Sequence, residues 1–203
     1  RGRSRMWPGL PTAMAQPGLT ANQRVDLLVG LADVYSWRDD TQPARATYEQ
    51  ALELDPANVE AWNGLGWVLR ITDGDAAALH AFERSLERQV TVQGLAGKAA
   101  TARVVGALDN ATSREMLRAA LAIDPSYLWA LREIAWSLYD DGAYSDAAEA
   151  FREALAKDPD DTNAVYGLAR MQLRLGLPEE ALSNLYTCVI GAPEHYAALF
   201  FRI

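Results

Sequence analysis

The sequence has few of the residues on which covalent cross-links, metal sites and nucleic-acid contacts depend. Cysteine occurs once, as Cys188, and histidine twice, as His80 and His195. A single cysteine cannot form an internal disulfide, and these counts exclude a zinc site built from cysteine and histidine. Lysine is scarce as well, since Lys98 and Lys157 are the only lysines among 19 basic residues. The formal net charge of -8 disfavours nucleic acid as a partner.

Long apolar runs are also absent. No uninterrupted apolar stretch approaches the roughly 18 to 20 residues that a membrane-spanning helix needs, so we expect no membrane span. Half of the 203 residues are apolar and 23% are charged, which favours a folded chain with a sizeable core. Abundant alanine and arginine are typical of GC-rich bacterial coding sequence. The composition therefore favours a bacterial source and leaves cytoplasm and periplasm both open.

The N-terminal segment differs from the rest of the chain. Residues 1–23 carry three prolines and three glycines, so they predict an irregular arm or linker rather than a regular element. A second interpretation is a signal-peptide remnant, because three arginines precede the mildly apolar residues 6–15, which end in a small-x-small sequence. A third is a tail that is not native to the protein.

The remainder, residues 24–203, shows a repeat marked by proline. Pro56, Pro125, Pro159 and Pro193 are separated by 69, 34 and 34 residues, and the first interval is two repeats plus one residue. Each repeat contains two helical apolar periods separated by a short break. The chain therefore divides into five units followed by the start of a further helix, with predicted bounds 25–58, 59–92, 94–127, 128–161, 162–195 and 196–203.

The residues at fixed positions of these units resemble the tetratricopeptide repeat family. The fourth unit carries the preferred residue types at all eight positions, which are Leu131, Ile134, Ala135, Leu138, Ala147, Phe151, Ala154 and Pro159. The third unit is degenerate in its first helix, and the second has Val90 where proline is usual. The resemblance implies an all-α fold, a right-handed superhelical solenoid of stacked antiparallel helix pairs that acts as a non-catalytic protein-interaction scaffold.

Two local features follow from the same residues. Thr112 and Glu115 have the spacing of a capping box, and Asp75 and Ser145 are further N-cap candidates. An extra residue near position 93 and several nearby glycines predict a looser interface between the second and third units.

We find no set of residues suited to catalysis, to a metal or to another cofactor. Cys188 occupies a repeat position where small residues pack between helices, so we interpret it as a core residue. The acidic doublets fall at predicted helix ends, where carboxylates cap and complement the helix dipole. No phosphate-binding loop follows a strand, and no full calcium loop is present. The sequence therefore predicts neither an enzyme nor a cofactor.

Aromatic and arginine residues recur along the first helices of the units beyond what stacking requires. In the resembled family, positions 2, 5, 9, 12 and 13 of that helix face a concave groove, which binds a peptide or protein segment. The positions carried over give nine predicted groove residues, namely Trp37, Asn63, Trp67, Arg70, Arg132, Trp136, Tyr139, Tyr166 and Arg170. Aromatic and arginine side chains dominate binding hot spots. The alternative for Trp67 and Trp136 is that they fill space between neighbouring helices.

Other hypotheses about function remain. Some family members hold a carboxylate terminus in a clamp, whose positions here carry Val29, Asp33, Gly64, Leu95 and Ala99, so we do not expect that mode. The chain is alternatively a scaffold region of a larger bacterial enzyme or of an envelope or exopolysaccharide export system that contacts glycans. Residues 196–203 begin a helix without a following partner, so we expect either a longer natural protein or self-association through this open end.

Overall fold

The computed structural model describes residues 18–191, and it describes residues 187–191 by their backbone alone. Ten α-helices and no strands occur in this range: α1 Ala21–Trp37, α2 Thr41–Leu54, α3 Val59–Thr72, α4 Asp75–Leu86, α5 Val92–Val104, α6 Asn110–Ile123, α7 Leu128–Asp140, α8 Tyr144–Lys157, α9 Thr162–Arg174 and α10 Pro178–Gly191. The predicted all-α fold of paired helices is confirmed. None of the described helices is long and apolar enough to cross a membrane.

The chain forms two compact units that we describe separately. Unit 1 ends at Leu108 and holds α1 to α5, whereas unit 2 begins at Asp109 and holds α6 to α10. Within each unit, every helix packs against the helix before and after it in sequence. Short loops between packed neighbours make consecutive helices antiparallel. The division falls inside the predicted third repeat, residues 94–127, between its two helices.

Small and large residues alternate at the helix crossings of both units. Ala44 and Ala78 are fully buried in unit 1, and Ala147 and Ala154 are fully buried in unit 2. Large side chains fill the space beside these close crossings, namely Tyr48, Phe82, Leu117 and Phe151. Alanine therefore leaves room for close helix crossings, and the large side chains fill the space beside them.

The start of α6 differs from the prediction. The Asp109 side chain accepts a hydrogen bond from the backbone N–H of Thr112 at 2.7 Å, so α6 begins at Asn110. The predicted capping box of Thr112 and Glu115 is wrong because the helix starts before Thr112. Asp75 and Ser145 are likewise inside their helices rather than at the N-cap, since α4 begins at Asp75 and α8 at Tyr144.

Helix α5 packs closely despite its unusual sequence. Ala96, Ala99 and Ala100 are fully buried, and Gly97 lies against the ring of Phe82 in α4. Small residues let the two helices approach each other. The looser interface expected near residue 93 is therefore wrong for α4 and α5.

Some predictions fall outside the described part of the chain. These are the arm up to residue 17, the helix predicted at 196–203, His195, and the side chain of Cys188. The described structure begins before the predicted start of the repeat domain at residue 24, and α1 already begins at Ala21.

Candidate functional site

A cleft of about 650 Å³ lies in unit 1, and we call it the unit-1 cleft. It is bordered by parts of α1, α2 and α3, by the loop that precedes α5 and by the start of α5. Its lining residues are Asp33, Ser36, Trp37, Tyr48, Val59, Glu60, Asn63, Gly64, Trp67, Gln89, Thr91 and Gln93. Three of the nine predicted groove residues are among them. The helix order places residues distant in sequence around one cavity.

The two tryptophans of the unit-1 cleft have different environments. Trp37 is the last residue of α1, and 86% of its surface is exposed. Trp67 is partly buried, and its ring meets Phe82 edge-on with 5.1 Å between ring centroids. Trp37 therefore offers a free aromatic surface, whereas Trp67 also stabilises the core.

Asn63 lies almost completely inside the protein at the unit-1 cleft, with only 7% of its surface exposed. Its Nδ2 donates a hydrogen bond to Oγ1 of Thr91 at 3.1 Å. Its Oδ1 is buried and accepts no hydrogen bond from the described residues. A buried acceptor without a donor costs roughly 1 to 3 kcal/mol. Asn63 therefore lines the unit-1 cleft with a side chain whose buried Oδ1 has no described donor.

The charged residues that line the unit-1 cleft are acidic. Oδ1 of Asp33 accepts a hydrogen bond from the hydroxyl of Tyr48. Burial, and then this bond to Asp33, raise the pKa of Tyr48, so its hydroxyl stays protonated and continues to donate. Glu60 lies exposed in the first turn of α3. Among the described lining residues there is no lysine, arginine or histidine.

Glu60 was not among the predicted groove residues, although the sequence held a signal for it. It occupies the second position of its repeat, which is one of the positions that the family resemblance assigns to the groove. Arg70 was predicted to face the groove but is not part of the described cleft lining. Its Nε donates to Asp75 at 2.8 Å, and its guanidinium carbon lies 5.8 Å from the centre of the Trp67 ring. Arg70 therefore packs near Trp67 and stabilises the start of α4 through its bond to Asp75.

Unit 2 contains a second group of predicted groove residues. We call Trp136, Tyr139, Tyr166, Arg170 and Arg174 the unit-2 cluster. The guanidinium carbon of Arg170 lies 5.2, 5.1 and 5.9 Å from the ring centres of Trp136, Tyr139 and Tyr166 respectively. Such distances allow attraction between a cation and an aromatic face. Arg170 of α9 therefore lies close to three aromatic side chains at once.

The phenol of Tyr139 is the polar centre of the unit-2 cluster. Arg174 donates to its oxygen at 3.1 Å and Arg170 donates at 3.2 Å. The hydrogen bond from Arg174, with smaller contributions from the charges of both arginines, lowers the pKa of Tyr139 because these donors favour the phenolate. No described carboxylate pairs with Arg170 or Arg174. The unit-2 cluster therefore presents positive charge next to aromatic surface.

Two of the predicted groove residues in unit 2 also hold the fold together. Trp136 meets the buried Phe151 edge-on with 5.1 Å between ring centroids. Arg132 donates to Asp161, and that carboxylate also caps α9 by accepting from the backbone N–H groups of Asn163 and Ala164. Arg132 is therefore engaged in an ion pair rather than available to a ligand.

In the described part of the chain, no three residues among histidine, cysteine, aspartate and glutamate are grouped so that they could hold a metal ion.

Consecutive antiparallel helix pairs with alanine crossings define a helical-repeat protein. Models of the tetratricopeptide repeat match residues 25–58, 47–89 and 132–193, which together make up more than half of the chain. The chain belongs to the tetratricopeptide repeat family.

Solved structures share this fold. TTC0263, a thermophilic TPR protein of Thermus thermophilus, is 18% identical with a TM-score of 0.75, over 87% of this chain and 99% of that one. YrrB, described as a TPR protein with an unusual peptide-binding site, is 20% identical with a TM-score of 0.58, over 95% of this chain and 97% of that one. At these identities the similarity shows the fold alone.

A curated relative matches a large part of the sequence. The DnaJ homolog subfamily C member 7 homolog of Schizosaccharomyces pombe is 28% identical over 157 residues, or 75% of this chain. The match spans 28% of that protein's length. The fold and family are those of a protein-interaction scaffold.

Proposed function

We propose that the chain binds a peptide or a protein segment through the faces that carry the predicted groove residues, and that it performs no catalysis itself. The observation that carries this proposal is the unit-1 cleft with Trp37 beside it. A partner that covered the 86% of Trp37 that is exposed would gain hydrophobic free energy, at roughly 25 cal/mol per Å² of apolar surface removed from water. Tryptophan is also the residue type most enriched among binding hot spots.

The unit-2 cluster supports the same function. It combines two tyrosines, one tryptophan and two arginines, which are the side chains that dominate measured interface energies. Arg170 and Arg174 are held by hydrogen bonds to Tyr139, so little side-chain entropy is lost when they meet a ligand. The cluster therefore offers a preorganised surface for polar and aromatic contacts.

The experiment is selection from a random peptide library on the immobilised chain, with Trp37→Ala compared with Tyr186→Ala. Tyr186 is a matched control because it is aromatic, is 64% exposed and belongs neither to the lining of the unit-1 cleft nor to the unit-2 cluster. We expect the wild type and Tyr186→Ala to retain the same peptides, and Trp37→Ala to bind them at least about tenfold more weakly. Retention of no peptide by the wild type, or equal retention by Trp37→Ala, contradicts the proposal.

A further inference from the structure

We infer that the unit-1 cleft receives an arginine or lysine side chain, so that the segment it binds is basic. This inference rests on the proposed function, because it names the chemistry of the segment that the cleft would bind. Three kinds of feature in the cleft point to a cationic hydrogen-bond donor: its carboxylates, an unused buried acceptor and an exposed aromatic ring.

The carboxylates supply acceptors that the protein itself does not fully use. Asp33 accepts from Tyr48 through Oδ1, and its Oδ2 accepts from no described residue. Glu60 is exposed in the first turn of α3, so its carboxylate is accessible to a ligand. The hydroxyl of Tyr48 is committed to Asp33 and thereby fixes the orientation of that carboxylate. A guanidinium or ammonium group entering the cleft would meet acceptors and negative charge.

The buried acceptor is Oδ1 of Asn63. The side chain is 93% covered by the protein and lines the cleft, yet no described donor reaches this oxygen. A carboxylate or carbonyl ligand could not satisfy it, because two acceptors cannot form a hydrogen bond with each other. A ligand that brings donors can satisfy it if the Asn63 side chain turns towards the cleft, since the oxygen itself is buried. Asn63 therefore favours the same kind of ligand as the two carboxylates, namely one that donates hydrogen bonds.

The exposed ring is that of Trp37. Cations are attracted to the face of an indole ring, and arginine is the usual cation in such contacts. Trp37 and Asp33 are both in α1 and both line the cleft, so an aromatic face and a carboxylate are available to one side chain.

Charge complementarity argues for the same partner. The chain has a formal net charge of -8, and the described lining of the unit-1 cleft has two carboxylates and no basic residue. The unit-2 cluster carries Arg170 and Arg174 instead. The preference for a basic segment is therefore a property of the unit-1 cleft and not of every aromatic surface on the chain.

The test uses the same random peptide library with two charge-matched variants of the full chain. Asp33→Asn/Glu60→Gln removes both carboxylates of the cleft while preserving size and the acceptor for Tyr48. Asp26→Asn/Glu53→Gln removes the same two charges from exposed positions outside the cleft. We expect peptides retained by the wild type to be enriched in arginine and lysine over the input. Affinity should fall about tenfold in the cleft variant and less than about twofold in the control.

A second measurement needs no variant. Raising the ionic strength from about 0.1 M to about 1 M shortens the Debye length from about 10 Å to about 3 Å, so the wild type should release basic peptides progressively. Retained peptides that are neutral or acidic, or that tolerate salt and the cleft variant, overturn this inference and leave the proposed function standing. Retention of no peptide at all overturns both.

Discussion

Phe82 of α4 lies directly against Gly97 of α5, so that a Cβ atom at residue 97 would come within 2.3 Å of the phenyl ring. Unit 2 repeats the arrangement with Phe151 and Gly167, again at 2.3 Å. Glycine inside a helix costs roughly 1 kcal/mol relative to alanine. In both units the glycine instead allows a fully buried aromatic ring to lie on the backbone of the next helix.

Replacing such a glycine should therefore destabilise the fold. Gly97→Ala places a methyl group inside the van der Waals radius of the Phe82 ring, and we expect a loss of about 1 to 3 kcal/mol in the free energy of unfolding. The matched control is Gly30→Ala in α1, where nothing lies within 4 Å of the new Cβ atom. That substitution should stabilise by up to about 1 kcal/mol through helix propensity. Urea denaturation measures both changes, and equal stability of the two variants would contradict this account.

Substitutions of Trp136 and Trp37 should affect the stability of the fold to different extents. Trp136→Ala removes a ring that packs on Phe151, so we expect it to lower the free energy of unfolding by about 2 to 3 kcal/mol. Trp37→Ala removes an exposed side chain and should change stability by less than about 0.5 kcal/mol. Thermal and urea denaturation of both variants provide the check. A neutral Trp136→Ala would show that its contact with Phe151 contributes little.

A loop in unit 1 offers a stabilising substitution. Asp39 has a φ of 57°, in the left-handed region, where Gly142 and Gly176 of the corresponding loops have a φ of 77°. Glycine adopts this conformation without the steric cost of a Cβ atom. We expect Asp39→Gly to raise the free energy of unfolding by about 0.5 kcal/mol, and Gly142→Ala to lower it by about 1 kcal/mol. Calorimetric melting of the two variants would refute the idea if both shifts had the same sign.

Tyr139 should ionise earlier than an ordinary tyrosine as the pH rises. Its pKa is lowered chiefly by the hydrogen bond from Arg174, so the folded protein favours the phenolate. By linkage, the resulting stabilisation is present above the usual tyrosine pKa and is lost as the pH falls through the lowered value. Phenolate absorbance should show an early ionisation in the wild type that is missing in Tyr139→Phe. Arg174→Gln should move it to higher pH, and superimposable wild-type and Tyr139→Phe curves would exclude the shift.

Asp161 should contribute through two interactions that substitution can separate. Asp161→Asn keeps an acceptor for the first turn of α9 but removes the ion pair with Arg132, and we expect it to cost about 1 kcal/mol. Asp161→Ala removes the cap as well and leaves Arg132 unpaired, so the cost should rise to about 2 to 4 kcal/mol. Urea denaturation gives both values. Equal costs for the two substitutions would show that the Asn amide does not cap α9.

The sequence predicted the fold because the relevant information is local. A proline-marked period of 34 residues and alanine at fixed positions, such as Ala147 and Ala154, specify helix pairs that pack on their sequence neighbours. These contacts join helices that are neighbours in the sequence, so they can be deduced without knowing which distant segments of the chain pack together. The cap of α6 was missed because Asp109 and Thr112 are both acceptable N-cap residues, and only the packed helix decides between them.

The candidate site was harder to predict, since a position on the correct helix face does not determine what a side chain contacts. Arg132 and Arg70 occupy the repeat positions expected of groove residues, yet each is held by a carboxylate of the protein. Glu60 and Thr91, by contrast, line the unit-1 cleft without having been predicted. Whether a side chain binds a residue of the protein or stays available to a ligand depends on distances between side chains. The repeat pattern does not specify those distances.

The sequence by itself determined that this chain is a series of helix pairs of the tetratricopeptide type, because helical periodicity, alanine at the crossings and proline after most pairs act over a few residues. Only the tertiary structure decided which side chains remain available to a partner. It left Trp37 exposed and Oδ1 of Asn63 without a donor, while it paired Arg132 with Asp161. The pairing of Arg132 with Asp161 joins residues 29 apart in sequence, and the helical repeat pattern does not specify which such residues come within hydrogen-bond distance.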